Sequence, residues 1–260
     1  MMQRIVTLLT DFGTSDGFVG AMKGVILSLC PTAQVVDLTH EIPPQDVVAG
    51  AWALREATAT FPPATIHVAV VDPGVGTTRR PILVEHEQTF FVGPDNGLLS
   101  LAAPRGSAFL LDRSELHAPK VSSTFHGRDV FAPVAGHLAS GRSPRDCGTP
   151  FPSGDRVRIE WPAATRGHGQ IVGQVVHVDH FGNLVTNMTR DDLAGEEWVV
   201  TLASLDVGPV RSTFGDVKRG EWVAYMGSNG YLEIAIREGN ASMCHSTNAP
   251  IICKNRKITR

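Results

Sequence analysis

The sequence predicts an α/β N-terminal domain, built on a mainly parallel sheet flanked by helices, followed by a smaller all-β, barrel-like C-terminal domain. Three observations predict it. Continuous β-branched runs alternate with segments of helical periodicity through the first part of the chain. The Pro-, Gly- and Ser-rich stretch "SGRSPRDCGTPFPSGD" then interrupts that pattern. Beyond it helical periodicity nearly vanishes, and short strands separated by turn residues take over. The expected partition is residues 1–145 for the α/β domain, 146–166 for the connection and 167–260 for the barrel.

The elements follow in order. "RIVTLLTDF" is apolar almost throughout, as a strand covered on both faces must be. "SDGFVGAMKGVILSLC" repeats Phe18, Met22, Val25, Ile26 and Leu29 at helical spacing, with Ser15 or Asp16 placed as N-cap. "AQVVDLTH" is a second strand and "PQDVVAGAWALREATATF" a second helix. "TIHVAVVD" is a third strand that breaks at Asp72 into the glycine loop "DPGVG". Strands at 81–86 and 89–93, a shorter one at "AFLLD" and a helix within "GRDVFAPVAGHLASG" complete the first domain. "GQIVGQVVHVD", "NLVTNM", "EWVVTLASL", "EWVAYM" and "GYLEIAI" are the strands of the second.

Composition narrows the function classes. Over 260 residues, 42% are hydrophobic and 19% charged, which is ordinary for a globular protein. A net charge of −3 with scattered Lys and Arg gives no concentrated positive surface, so nucleic acid is not an expected partner. Cys30, Cys147, Cys244 and Cys253 lie far apart, with no CxxC pair or Cys/His ligand spacing, and read as reduced thiols. The N-terminal apolar run is short and lacks a cleavage site, and nothing reaches transmembrane length. A cytoplasmic location with no membrane partner is expected.

Ligands of a doubly wound sheet bind outside the carboxyl ends of its strands. Two such ends carry aspartates: "TDFGTSD" supplies Asp11 and Asp16, and "VDPGVG" supplies Asp72. A single Asp before Gly is accounted for by turn capping; two at comparable strand ends point to a site. Neither glycine stretch is a phosphate cradle. Arg79 and Arg80 open a strand and so point to opposite sides. His126 in "TFHGRD" either starts a helix by hydrogen bonding or moves a proton near neutral pH, while Arg128 and Asp129 pair or cap. In the second half, "VDHFGNLVTN" and "MGSNGYLEIAIREGNA" gather Asp179, Phe181, Asn183, Ser228 and Ala241. Hairpin chemistry explains much of this, but an aromatic face beside an amide also suits a purine.

Seven blocks in register resemble the S-adenosyl-L-methionine (SAM) hydroxide adenosyltransferase family and its SAM-dependent fluorinase and chlorinase relatives. They are "LLTDFGTSDGFVGAMKGVI", "VVDLTHEIPPQDVVAGA", "VAVVDPGVGTTRRPI", "VGPDNGLL", "FHGRDVFAPVAGHLASG", "VDHFGNLVTN" and "GSNGYLEIA". The resemblance implies hydrolysis of SAM to adenosine and L-methionine by water attacking ribose C5′, with SAM as substrate, no cofactor and no metal. It also implies a homotrimer that binds SAM between the N-terminal domain of one subunit and the C-terminal domain of the next. The implied hydrolytic set is Asp72, Arg79 and His126, with Asp72 and His126 both open as the base. Asp11 matches the ribose anchor; Asp16, Asp179 and Ser228 match the methionine-holding positions. Phe181 and Asn183 match the adenine side, with Ala241 as a backbone contact to the same base. His126-Gly127 replaces the Tyr-Ser step of the halogenases, and Arg80 runs straight into "PILV" without their insertion. Three rivals stand beside this reading: a halide adenosyltransferase, a non-catalytic SAM or adenosine sensor, and a metal-dependent phosphohydrolase on Asp11, Asp16 and Asp72.

Overall fold

The computed structural model describes residues 4–244 and 250–255. The chain divides into two compact units, Met1–Ile159 and Glu160–Arg260. The first contains β1 (Ile5–Thr10), α1 (Phe18–Leu29), β2 (Gln34–Thr39), α2 (Val47–Thr58), β3 (Ile66–Val70), β4 (Pro81–His86), β5 (Thr89–Pro94), β6 (Ser107–Leu110), α3 (Ala132–Ala139), α4 (Pro144–Cys147) and β7 (Thr149–Phe151). Its seven strands run in the order β2-β1-β3-β5-β4-β6-β7.

The sheet is mixed, not mainly parallel as expected. β1 runs parallel to β2 and β3, and β3 parallel to β5, but the β4–β5, β4–β6 and β6–β7 pairs are antiparallel. The reason is local. Glu87 and Gln88, both at positive φ, form a two-residue turn, and a tight turn can join only antiparallel neighbours. "EQ" lacks the Asn-Gly signature that announces such a turn. The stretch read as a connection also contributes: α4 lies in it, and β7 is the edge strand beside β6.

Side-chain alternation along the central strands sorts the helices onto two faces. Val6, Leu8, Val68 and Val70 pack with Met22 and Ile26 of α1 and Val134 and Leu138 of α3. Leu9, Ala69 and Val71 pack on the other side with Ala51 and Leu54 of α2. Asp46 caps α2, accepting from Ala49 N at 2.9 Å. α1 departs from expectation: its N-cap is Gly17, with no side-chain cap from Ser15 or Asp16, and Phe18 and Leu29 are exposed while Val19 is buried.

The second unit holds β8 (Thr165–Gly167), β9 (Gln170–Gly173), β10 (Val175–Val178), β11 (Leu184–Thr189), β12 (Trp198–Leu202), β13 (Leu205–Arg211), β14 (Trp222–Met226), β15 (Tyr231–Ile236) and β16 (Ile251–Asn255). They form one curled, half-barrel sheet in the order β10-β11-β15-β14-β13-β12-β16-β9-β8. Leu184, Met188, Trp198, Val200, Ile234 and Ile251 fill its core. No helix among the described residues is long and apolar enough to cross a membrane.

Candidate active site

The fully buried β3 delivers its chain end to Asp72, and the following loop folds back at once. Val75 N donates to Asp72 O at 3.2 Å and Thr77 N to Gly74 O at 3.2 Å. Gly76 is required there: its φ is +77°, and a Cβ would lie 2.4 Å from Ser123 O. The reversal brings Arg79 onto Asp72 as a fork. Nε donates to Oδ1 at 3.1 Å and Nη2 to Oδ2, with side chains only 6% and 5% exposed. Nη2 also lies 3.0 Å from His126 Nδ1. Arg79 Nη1 is buried with no hydrogen-bond partner among the described residues. Arg80 points away, as the strand alternation predicts, and binds the buried Asp95.

His126 opens a π-helical turn, Gly127–Phe131, that runs into α3. Its contact with Arg79 sets the tautomer. A guanidinium is donor-only, so Nδ1 accepts and the ring proton sits on Nε2. Burial first, and then the Arg79 charge, push the His126 pKa below its usual value, against the opposing pull of Asp72 and Asp129. His126 is therefore a neutral ring presenting an N–H. Gly127 behind it is tightly housed, since a Cβ would meet Met22 Sδ at 3.2 Å. Arg128 and Asp129 do pair, at 2.7 and 3.0 Å, and Asp129 also holds Ser122 N.

Asp11, Asp72 and His126 line one cleft of about 460 Å³. Asp11 Oδ2 accepts from Gln45 N at 2.8 Å, and Gln45 holds a positive φ of 68°. Asp16 is solvent-exposed in the turn before α1 and does not line the cleft. Sequence reasoning missed Gln45 and the aromatic wall of Phe12, Phe18 and Phe125, whose ring centroids are 5.3–6.0 Å apart. No sequence signal marks this wall, because periodicity puts Phe18 on the buried helical face and only the fold exposes it.

In the second unit, Phe181 and Asn183 line a separate, mostly apolar hollow of about 540 Å³ together with Phe214, Tyr225 and Asn240. Asp179 builds the turn that presents them. Its Oδ1 accepts from Phe181 N and Asn183 N at 2.9 and 2.8 Å, and its Oδ2 from Asn183 Nδ2 at 2.8 Å. Gly182, at φ +83°, lets this turn press against Asn240, whose Oδ1 would lie 2.1 Å from a Cβ. Ser242 N donates to Gly182 O at 3.1 Å, which fixes Ala241 beside the turn as a fully buried core residue. Phe181 is 73% exposed, a large apolar face left uncovered in this unit. Burial and the neighbouring Glu233 carboxylate push the Tyr225 phenol pKa upward. Ser228 is exposed in the β14–β15 hairpin turn and does not line this hollow. Phe214 and Tyr225 left no recognisable signal in the sequence. Among the described residues no three His, Cys, Asp or Glu side chains gather as a metal-holding group.

Residues 6–148 match the model of the SAM hydroxide adenosyltransferase N-terminal domain, and residues 173–249 match that of its C-terminal domain. A Thermus thermophilus protein named (R)-S-adenosyl-L-methionine hydrolase is 43% identical, covering 92% of this chain and 94% of its own. A fluorinase from an Actinoplanes species is more distant, at 29% identity over 89% of this chain and 90% of its own. The crystal structure of an uncharacterized conserved protein from Thermotoga maritima superposes with a TM-score of 0.87 at 32% identity, covering 96% of this chain and all of that one. The chain belongs to the SAM hydroxide adenosyltransferase family.

Proposed function

We propose that this protein hydrolyses SAM to adenosine and L-methionine by in-line attack of water or hydroxide on ribose C5′. The observation that carries the proposal is the buried Asp72–Arg79–His126 cluster, with Arg79 holding an unspent pair of N–H donors. The sulfonium already supplies an excellent neutral leaving group, so the burden falls on the nucleophile. Asp72 fixes the guanidinium, and the remaining Arg79 donors favour hydroxide over water where bulk solvent is thin. His126, protonated on Nε2, donates to the nucleophile and aims it; it is not the base. Asp72 is then the carboxylate in reach of a proton from an attacking water, while a captured hydroxide needs no base at all. Positioning supplies much of the remaining barrier reduction.

Asp11 anchors the ribose hydroxyls, and Asp16, Asp179 and Ser228 hold the methionine amine and carboxylate. Phe181 and Asn183 hold adenine, with Ala241 contributing backbone. The reaction needs SAM and water alone, with no metal or resident cofactor. The same reading makes the protein a cytoplasmic homotrimer in which the Asp11 cleft of one subunit meets the Phe181 hollow of its neighbour. Turnover and SAM binding of Arg79→Ala and His126→Ala test the roles. Rate should fall at least a hundredfold with little change in affinity; parallel losses in both would remove these residues from the chemistry.

A further inference from the structure

The motif "VVDLTHEIPP" takes no part in the reaction as proposed, yet it carries a polar relay that runs from an exposed ion pair to a buried end. His40 is 5% exposed, and its Nδ1 lies 2.8 Å from the Oγ1 of the fully buried Thr10. Thr10 Oγ1 also accepts from Phe12 N at 3.2 Å. His40 Nε2 lies 3.0 Å from the acceptor-only carboxylate of Asp37, outside hydrogen-bond geometry, so Nε2 carries the ring hydrogen and Nδ1 accepts from the Thr10 hydroxyl. Asp37 Oδ2 is bound by Lys23 Nζ at 2.6 Å. The relay therefore runs Lys23–Asp37–His40–Thr10 and ends one residue before Asp11.

The backbone repeats the connection. His40 O accepts from Gly13 N at 2.8 Å, and Asp11 Oδ2 accepts from Gln45 N at 2.8 Å. The 10–14 and 40–45 loops are thus zipped together from both sides. Between them they supply Asp11, Phe12, Pro44 and Gln45 to the cleft. The positive φ of Gln45 requires an external hold, because a non-glycine residue rarely keeps that conformation unaided. His40 does not line the cleft, so its role is not that of a catalytic residue.

We infer that His40 is a positioning residue that sets Asp11 and Gln45 for the ribose through Thr10 and its own carbonyl. The inference rests on the proposed SAM reaction. Buried polar groups joined in this way are costly to half-break, so the relay transmits loss of one member to the loop it holds.

The test measures adenosine binding by calorimetry and SAM turnover for the full chain, with His40→Phe, His40→Asn, Asp11→Ala and the double variant His40→Phe/Asp11→Ala. His40→Phe should raise KM and the adenosine Kd about tenfold, close to 1.4 kcal/mol, with kcat within about twofold. His40→Asn, which keeps an acceptor for the Thr10 hydroxyl, should recover most of that loss. In the Asp11→Ala background His40→Phe should have almost no further effect, because it acts through Asp11. If His40→Phe does not fold, Thr10→Val severs the same link and replaces it in the cycle. Additive losses, unchanged binding, or a fall in kcat at constant KM would overturn the inference. Wild-type protein that neither binds adenosine nor consumes SAM would instead overturn the reaction itself.

Discussion

Replacing Asp72 with Asn removes one charge and almost no volume, and its consequences follow from burial. Asp72 and Arg79 are 5% and 6% exposed, so solvent cannot compensate the guanidinium left behind. Breaking a buried pair from one side costs about 3–5 kcal/mol. For a chain of this size that lowers the melting temperature by on the order of 10 °C. Replacing both partners, as Asp72→Leu/Arg79→Met, removes the uncompensated charge and should restore most of the stability. Turnover should not return, falling about a hundredfold or more in both variants, because the donors proposed to stabilise hydroxide are misaligned in one and absent in the other. Differential scanning calorimetry and a chromatographic SAM assay on the same samples read both quantities. An Asp72→Asn protein that melts with the wild type, or a double variant that keeps its turnover, would refute the argument that this ion pair is kept for chemistry.

Other consequences are as direct. His67 is fully buried between Phe61 and Phe91, and burial lowers its pKa from 6.5 to about 4. The unfolded ring gains a proton below 6.5 and the folded one only below about 4, so acid favours unfolding across that window. Its share of stability should fall by about 1.4 kcal/mol per pH unit and then level off; urea titrations of His67→Phe against wild type should show that slope removed. The lowered His126 pKa keeps its ring neutral as pH falls through 6.5, so an acid limb in kcat assignable to His126 should lie below that value; a midpoint above it would contradict the neutral-donor role. Gly182→Ala should cost more than about 1 kcal/mol and weaken adenosine binding, since the φ is +83° and Asn240 occupies the Cβ position. Phe181→Ala should leave stability within about 0.5 kcal/mol while reducing adenosine affinity roughly tenfold, because the ring is 73% exposed.

Continuous apolar runs made β1 and β3 legible, and with them the carboxylates that leave their ends, because burial on both faces admits no other pattern. The hairpin at Glu87-Gln88 was not legible, since its positive φ values are imposed by strand pairing and not by favoured turn residues. α1 shows the same limit: periodicity placed Phe18 and Leu29 on the buried face, whereas the helix turns Val19, Met22 and Ile26 inward. The site divided similarly. Asp72 and Arg79 of one loop meet His126 of a second segment through hydrogen-bonding contacts of Arg79, which resemblance implied and spacing alone did not. The tautomer of His126 and the hold of His40 on the Asp11 loop depend on which nitrogen faces which donor, and no linear pattern encodes that.

In the proposed reaction solvent oxygen becomes the 5′-oxygen of adenosine. Purified protein incubated with SAM in oxygen-18 water, with and without chloride and EDTA, and analysed by mass-detected chromatography tests it most directly. Adenosine and methionine should form in equal amounts, with the isotope in adenosine alone and no dependence on halide or chelator. Unlabelled adenosine, a 5′-halogenated nucleoside, or SAM bound and left intact would contradict it.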